Sequence, residues 1–359
     1  MNSSKHKSAL KVNEGIEQPP NINPWLRQTK KTREKHSADD YVKEIVQGNR
    51  TMLSQAITLV ESTLPEHQRL SRSIVEQCLP YSGNSIRIGI TGVPGVGKST
   101  FIEIFGTLAI SKGNKLAVLA IDPSSERSKG SILGDKTRME TLSTLPDAFI
   151  RPSPTGCNLG GVARSTRESI ILCEAAGFNV ILVETVGVGQ SETVVNSMVD
   201  AFLLLMLAGA GDELQGIKRG IMEMADIIAI TKADGINQRK CEMAAQELRN
   251  ALQYMPPSES QWKPRVLLCS AISGLGMNDI WDTVQHYFSF IKQNNYFLQQ
   301  RHYQAKYWMY ETITEMLKEN FYSRQDIKKK LTQLEKQVIE HKISSIAAAE
   351  QIINQYLKK

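Results

Sequence analysis

The segment Gly92-Val93-Pro94-Gly95-Val96-Gly97-Lys98-Ser99 constrains this chain more than any other. It fits G-x-x-x-x-G-K-[ST], follows an apolar run at 86–90 and precedes an amphipathic stretch carrying Phe101, Ile104, Phe105 and Leu108. Glycines in such a loop let the backbone turn its N–H groups toward a polyphosphate, and the helix N-terminus beyond adds favourable potential. Lys98 would neutralise β- and γ-phosphate oxygens and the Ser99 hydroxyl would ligate Mg²⁺, with Thr100 closing the nucleotide-binding segment. At ordinary glycine usage, chance matches in a chain of this length number on the order of one in a hundred. The loop implies a nucleoside triphosphate site.

The surrounding pattern is that of an α/β protein. Short apolar runs at 86–90, 116–121, 180–183, 202–207, 227–230 and 266–269 alternate with stretches long enough for helices. Such alternation predicts a mostly parallel P-loop sheet covered by helices on both faces, with ligands at the carboxyl ends of the strands. Ahead of it, Tyr41, Ile45, Leu53, Ala56, Ile57 and Val60 recur at helical spacing, and Leu70, Ile74 and Val75 continue the pattern. Beyond about Phe290 the strands stop, and one helical stripe joins Tyr303, Tyr307, Tyr310 and Leu317. A second stripe joins Ile327, Leu331, Leu334 and Val338, and a third helix is expected over 343–357. Packing of these helices in cis or on another subunit is left open by the pattern. The domain reading is a mobile polar extension over 1–39, a helical lobe over 40–82, a nucleotide-binding domain over 83–292 and a helical arm over 293–359.

Composition narrows the class. Hydrophobic residues are 41% and charged residues 22% of 359, which excludes wholesale disorder. The longest apolar stretch, 201–210, is well short of the ~18 residues needed to span a bilayer, so no membrane partner is expected. A net charge of +6 admits anionic ligands but carries no concentrated nucleic-acid footprint. The five cysteines are scattered without a CxxC pair and the histidines do not cluster, which argues for buried thiols rather than disulfides or zinc. The N-terminus has no apolar signal core, and acidic residues interrupt its basic character, so a cytoplasmic location is expected.

Two further loops address the base. The run at 227–230 leads into Thr231-Lys232-Ala233-Asp234, a variant of the guanine signature N-K-x-D with threonine in the first place. A carboxylate there can accept from both guanine N1–H and the exocyclic amine, whereas adenine presents the opposite edge. The lysine stem can lie along the base face, and the substitution at Thr231 predicts a looser loop and weaker selectivity. Alone, the tetrapeptide also reads as a helix N-cap after a strand. The next run ends in Ser270-Ala271-Ile272-Ser273-Gly274-Leu275-Gly276, an S-A-x-x-G-x-G loop of the kind that closes over guanine, which favours guanine over adenine.

Longer motifs then accumulate in order. They are 92–100, Asp122-Pro123-Ser124-Ser125, the 130–139 segment Gly-Ser-Ile-Leu-Gly-Asp-Lys-Thr-Arg-Met, the 184–192 segment Glu-Thr-Val-Gly-Val-Gly-Gln-Ser-Glu and the 211–218 segment Gly-Asp-Glu-Leu-Gln-Gly-Ile-Lys. Together they resemble the MeaB/ArgK family of P-loop GTPases, chaperones of adenosylcobalamin-dependent methylmalonyl-CoA mutase, from about Asp40 to the C-terminus. The resemblance implies GTP and GDP as nucleotides, Mg²⁺ held by Ser99, Asp122, Asp135 and Glu184, and Gly187 answering the γ-phosphate. It implies a switch in which Asp212, Gln215 and Lys218 move toward the nucleotide when the mutase docks, Gln215 and Lys218 stabilising the transferring phosphoryl group beside Lys98. The segment Tyr307-Trp308-Met309 resembles the family's dimerisation arm, which implies a homodimer. The client would be methylmalonyl-CoA mutase or a related acyl-CoA mutase. Two other readings remain: a metallochaperone GTPase, although His-rich or Cys-containing metal motifs are missing from the sequence, and the older family assignment as a kinase of a lysine-arginine-ornithine transport system.

Overall fold

The computed structural model describes residues 36–121, 139–152, 159–185, 191–209 and 219–357. The described residues from Ala38 onward form one compact unit. The strands are β1 (Ile86–Gly92), β2 (Leu116–Ile121), β3 (Ala148–Arg151), β4 (Val180–Thr185), β5 (Ala201–Leu207), β6 (Ile227–Thr231) and β7 (Arg265–Leu268). They form one sheet in the order β3-β2-β4-β1-β5-β6-β7, with every neighbouring pair parallel. Strands β2, β4 and β6 are buried at every residue, which is why they read as unbroken apolar runs rather than alternating ones.

Among the described residues the helices are α1 (Ala38–Val46), α2 (Arg50–Glu61), α3 (Pro65–Cys78), α4 (Lys98–Ser111), α5 (Glu140–Thr144), α6 (Leu159–Ala175) and α7 (Ser191–Asn196). They continue as α8 (Arg219–Met224), α9 (Gln238–Leu252), α10 (Met277–Gln293), α11 (Tyr296–Ser323), α12 (Gln325–Ile339) and α13 (Ser345–Leu357). Local chemistry sets several boundaries. Asn49 caps α2 by accepting from the N–H groups of Thr51 and Met52 at 3.0 and 3.2 Å, and Pro65 opens α3 where its missing N–H costs nothing. The core runs continuously from Tyr41 and Leu53 in the N-terminal helices, through the sheet, to Ile291 and Trp308. A separate small core joins Ile327 and Leu334 of α12 to Ala348 and Ile352 of α13. The second C-terminal stripe therefore packs within the chain, while Tyr303, Tyr310 and Leu317 of the first stay exposed.

Strand β3 lies outside the six apolar runs of the sequence. It has four residues, only three of them hydrophobic, too short a signal to separate from a loop; its place at the sheet edge needs only one pairing partner, β2. Of the other strand expectations, 116–121 matches β2 at both ends and the remaining five hold with ends shifted by one or two residues. Cys78, Cys173, Cys241 and Cys269 are buried free thiols, as the scattered spacing suggests. Among the described residues, no helix is long and apolar enough to cross a membrane.

Candidate functional site

The phosphate loop leaves the centre of the sheet. Strand β1 lies between β4 and β5, so the loop opens where strand order reverses and helices depart to opposite faces, the crevice in which ligands of open parallel sheets bind. Gly97 has φ 95°, a left-handed conformation that lets the chain turn directly into α4 at Lys98. The turn is closed by Val96 N–H to Val93 O at 3.2 Å, and the helix by Phe101 N–H to Gly97 O at 2.8 Å. Val93 and Val96 point into the core, whereas Pro94, Gly95 and Thr100 are exposed and Ser99 is partly so. Apolar anchors thus fix the loop from below and leave its backbone facing outward.

Lys98 spans this loop. Its ammonium donates to Gly92 O at 2.8 Å, and two further N–H groups remain to point at oxygens of an anion. Burial lowers its pKa from the usual lysine value, while Glu184 and Glu192 work to raise it. Glu184 is itself buried at the end of β4, in register with Ile90 of β1 and Ala120 of β2. The next residue, Thr185, donates from its hydroxyl to the Thr91 hydroxyl at 2.8 Å, both side chains fully enclosed. That bond ties the end of β4 to the last turn of strand before the loop. Thr185 falls in the 184–192 motif, but its pairing with Thr91 is not legible in the sequence, because a polar pair buried across adjacent strands has no local signature. Glu192, fully buried in the first turn of α7, was inside a recognised motif, but its influence on Lys98 needs the fold.

The base-side loops are tied to the phosphate loop and to each other. Thr231, at the end of β6, donates its hydroxyl to Val96 O at 2.9 Å and lies 3.3 Å from Met206 O. Lys232 adopts φ 58°, unusual for a residue with a side chain, and its ammonium donates to Gly95 O at 3.0 Å. Two successive residues thus bind the phosphate loop's carbonyls, so the looser loop expected from threonine in the asparagine place is not what forms. Asp234 leaves the N–H groups of the following turn unbonded by its side chain and instead accepts from the Ser270 hydroxyl. The N-cap reading of this tetrapeptide falls away. Ser270 in turn receives the Ser273 N–H at 3.2 Å, and Ala233 N–H bonds Cys269 O at 3.0 Å. Gly276 closes the second loop with φ 72°, and a Cβ there would sit 1.9 Å from Leu268 O, so only glycine fits. Ala271 is partly exposed and Ile272 is 90% exposed, so both border open space at the site.

The structure therefore brings together Gly92 to Thr100, Glu184, Thr231, Lys232, Asp234 and Ser270 to Ile272 along the carboxyl edge of the sheet. Asp122, Asp135, Gly187, Asp212, Gln215 and Lys218, like the extension at 1–35, lie outside the described residues.

A phosphate loop at the centre of a parallel sheet, with an aspartate-bearing loop and a serine-bearing loop locked beside it, defines a P-loop GTPase. The family model described as methylmalonyl-CoA mutase-associated GTPase MeaB matches residues 53–326, and the chain belongs to that family. A probable GTPase of Mycobacterium bovis is 48% identical over 306 residues, covering 85% of this chain and 91% of that protein. The mouse mitochondrial methylmalonic aciduria type A homolog is 41% identical over 334 residues, covering 90% and 80%. Among solved structures, a LAO/AO transport system kinase superposes with a TM-score of 0.71 at 37% identity, covering 90% of this chain and 98% of that one. The chain is a GTP-hydrolysing enzyme that binds GTP and GDP, of a family associated with methylmalonyl-CoA mutase.

Proposed function

We propose that this GTPase is Mg²⁺-dependent and serves as a chaperone of an adenosylcobalamin-dependent methylmalonyl-CoA mutase, its nucleotide state gating loading, protection or reactivation of the mutase cofactor. The observation that carries the reading is the family match over residues 53–326, joined to a phosphate loop already braced at Val96 and Gly95.

The donor chemistry suits Mg²⁺. Ser99 offers a hydroxyl and Glu184 a carboxylate, both hard oxygens, and Asp122 and Asp135 are assigned with them from the family motifs. Among the described residues no three acidic, His or Cys side chains cluster to hold a metal by themselves. Mg²⁺ needs no such cluster, because phosphate oxygens and water complete its octahedron. Bound there, the ion would draw charge from the β- and γ-phosphate oxygens. Lys98 would hold the same oxygens with its remaining N–H groups, and Gly187 would answer the γ-phosphate. Gln215 and Lys218, carried by the segment that starts at Asp212, would approach when the mutase docks and stabilise charge on the transferring group, as an arginine finger does. Asp234 and Ser270, with the Ala271–Ile272 backbone, would select guanine.

The arm completes the proposal: residues 40–82 form a supporting helical lobe, 83–292 the catalytic domain and 293–359 a dimerisation arm. Its exposed stripe, with Tyr303 at 70% and Tyr310 at 63%, gives a homodimer a surface to bury. A monomeric mass by light scattering at micromolar protein would remove the dimer. No membrane or nucleic-acid partner enters the reading, which has the protein acting in the cytoplasm.

The deciding experiment is GTP and ATP turnover with Mg²⁺, with and without the mutase. Slow GTP-selective turnover that the mutase accelerates, and that Lys218→Ala blunts, is expected. Turnover indifferent to the mutase would sink the chaperone role, and transfer of labelled γ-phosphate to a transport-system binding protein would replace it with the kinase reading.

A further inference from the structure

The site holds guanine, on the reading above, by a loop whose first residue departs from the usual one. The consequence follows from counting protons. A threonine hydroxyl has one proton to donate, and that of Thr231 is directed at Val96 O, 2.9 Å away, with Met206 O as a second acceptor at 3.3 Å. Thr231 is 5% exposed, and Val96 and Met206, which bear these carbonyls, are 1% exposed each, so water does not compete for them. Asp234, with its side chain engaged by Ser270 rather than by the turn that follows, is an acceptor and takes the donor edge of guanine, N1–H and the exocyclic amine. The lysine between them lies over the loop, its ammonium 3.0 Å from Gly95 O, which fixes the plane against which a base can stack. With the donor edge on Asp234, the opposite edge of the purine turns back toward the end of β6 and the phosphate loop. That edge carries N7, an acceptor. Thr231 stands at that end of the loop, and its one proton is already committed.

We infer that this enzyme recognises guanine from the side of Asp234 and the Ser270–Ile272 loop and makes no hydrogen bond from residue 231 to N7, because Thr231 spends its single proton bracing the phosphate loop. An asparagine in its place would supply two N–H groups, one for Val96 O and one for the base. Thr231 is thus a specificity-determining residue of an unusual kind: it exchanges a base contact for a brace.

The test uses the full-length protein and equilibrium binding of GDP, 7-deaza-GDP (the same base with N7 replaced by C–H) and ADP. The wild-type protein is expected to bind GDP and 7-deaza-GDP within about twofold of each other, whereas Thr231→Asn is expected to favour GDP by about 3–10-fold, the range of one net hydrogen bond. A fivefold or greater loss on 7-deaza-GDP in the wild type would overturn the inference without any variant. Equal binding of the two by a folded Thr231→Asn protein would overturn it as well, since residue 231 would then not face that edge. Thr231→Ser, which keeps one hydroxyl proton, should behave as wild type; a new preference for GDP there would also count against the brace. The inference rests on the guanine reading, and ADP separates the two: ADP binding as tightly as GDP defeats the guanine reading itself, whereas GDP preferred over both ADP and 7-deaza-GDP defeats only the inference.

Discussion

The two edges of the sheet use charge in opposite ways. At the amino edge, buried charges are matched to one another. Glu174 takes Arg87 through Nε at 2.9 Å and Nη2 at 3.0 Å, and also the Ser85 hydroxyl and the Gly83 N–H. Burial works to raise its pKa, but these partners outweigh it and hold the carboxyl below its usual value. Asp200, ahead of β5, takes both Nε and Nη2 of Arg301 at 2.8 Å together with the Arg87 N–H at 2.9 Å. Arg301 belongs to α11, which also docks through Gln304 to Val199 O, Trp308 to Ser197 O and the Arg167 guanidinium over the Trp308 ring. At the carboxyl edge, Lys98 donates to Gly92 O and Asp234 accepts from the Ser270 hydroxyl, and both face outward with capacity to spare. Saturated charge makes a fastening; unsaturated charge on a rigid frame makes a ligand site. Mutation should therefore separate stability from activity by edge.

The largest expected effect is at the fastening. Arg301→Ala leaves the Asp200 carboxylate enclosed without its cation, and breaking such a pair typically costs about 3–5 kcal/mol. Chemical unfolding should register that loss, while the folded fraction binds GDP within about twofold of wild type. A change in nucleotide affinity as large as the change in stability would break the division between edges. The mirror experiment is Lys98→Ala, expected to lower kcat for GTP by about 10²–10³-fold while unfolding free energy moves by less than about 1 kcal/mol. Loss of stability comparable to that of Arg301→Ala would show that the phosphate loop is itself a fastening.

A smaller effect sharpens the comparison, because one carboxyl at the amino edge has no cationic partner among the described residues. Asp226, ahead of β6, accepts the Phe202 N–H at 2.8 Å, and burial pushes its pKa up to about 7 against the opposing pull of that N–H and the Tyr287 hydroxyl. Between about pH 4 and pH 7 the folded state holds a proton that the unfolded chain has released, so stability must fall as pH rises through this window. The residue keeps partial solvent contact, so the loss expected is on the order of 2 kcal/mol. Asp226→Asn, which still accepts from Phe202, should flatten that slope in unfolding measured across the same range. A slope unchanged in the variant would assign the pH dependence to other groups.

These contrasts also mark how far the sequence could be read. The phosphate loop, Asp234 and Ser270 were legible because a ligand contact made by consecutive residues leaves a consecutive signature. The buried strands were legible because enclosure on both faces demands unbroken apolar runs; β3 was not, since four edge residues leave too little pattern. The helical spacing of Ile327 and Leu334 gave a stripe without saying what covered it, and Ala348 and Ile352 of the same chain do.

What the sequence determined by itself was the class of chemistry: a glycine-framed lysine and serine after a strand, and an aspartate three residues beyond the end of β6. Those features are local, set by neighbours along the chain. The tertiary structure decided how each was used. It aimed Thr231 at Val96 across 135 positions of sequence, paired Thr91 with Thr185, and brought Glu192 to bear on Lys98. Hydrogen bonds and charges act through space, and separation along the chain carries no information about them until the sheet order is fixed.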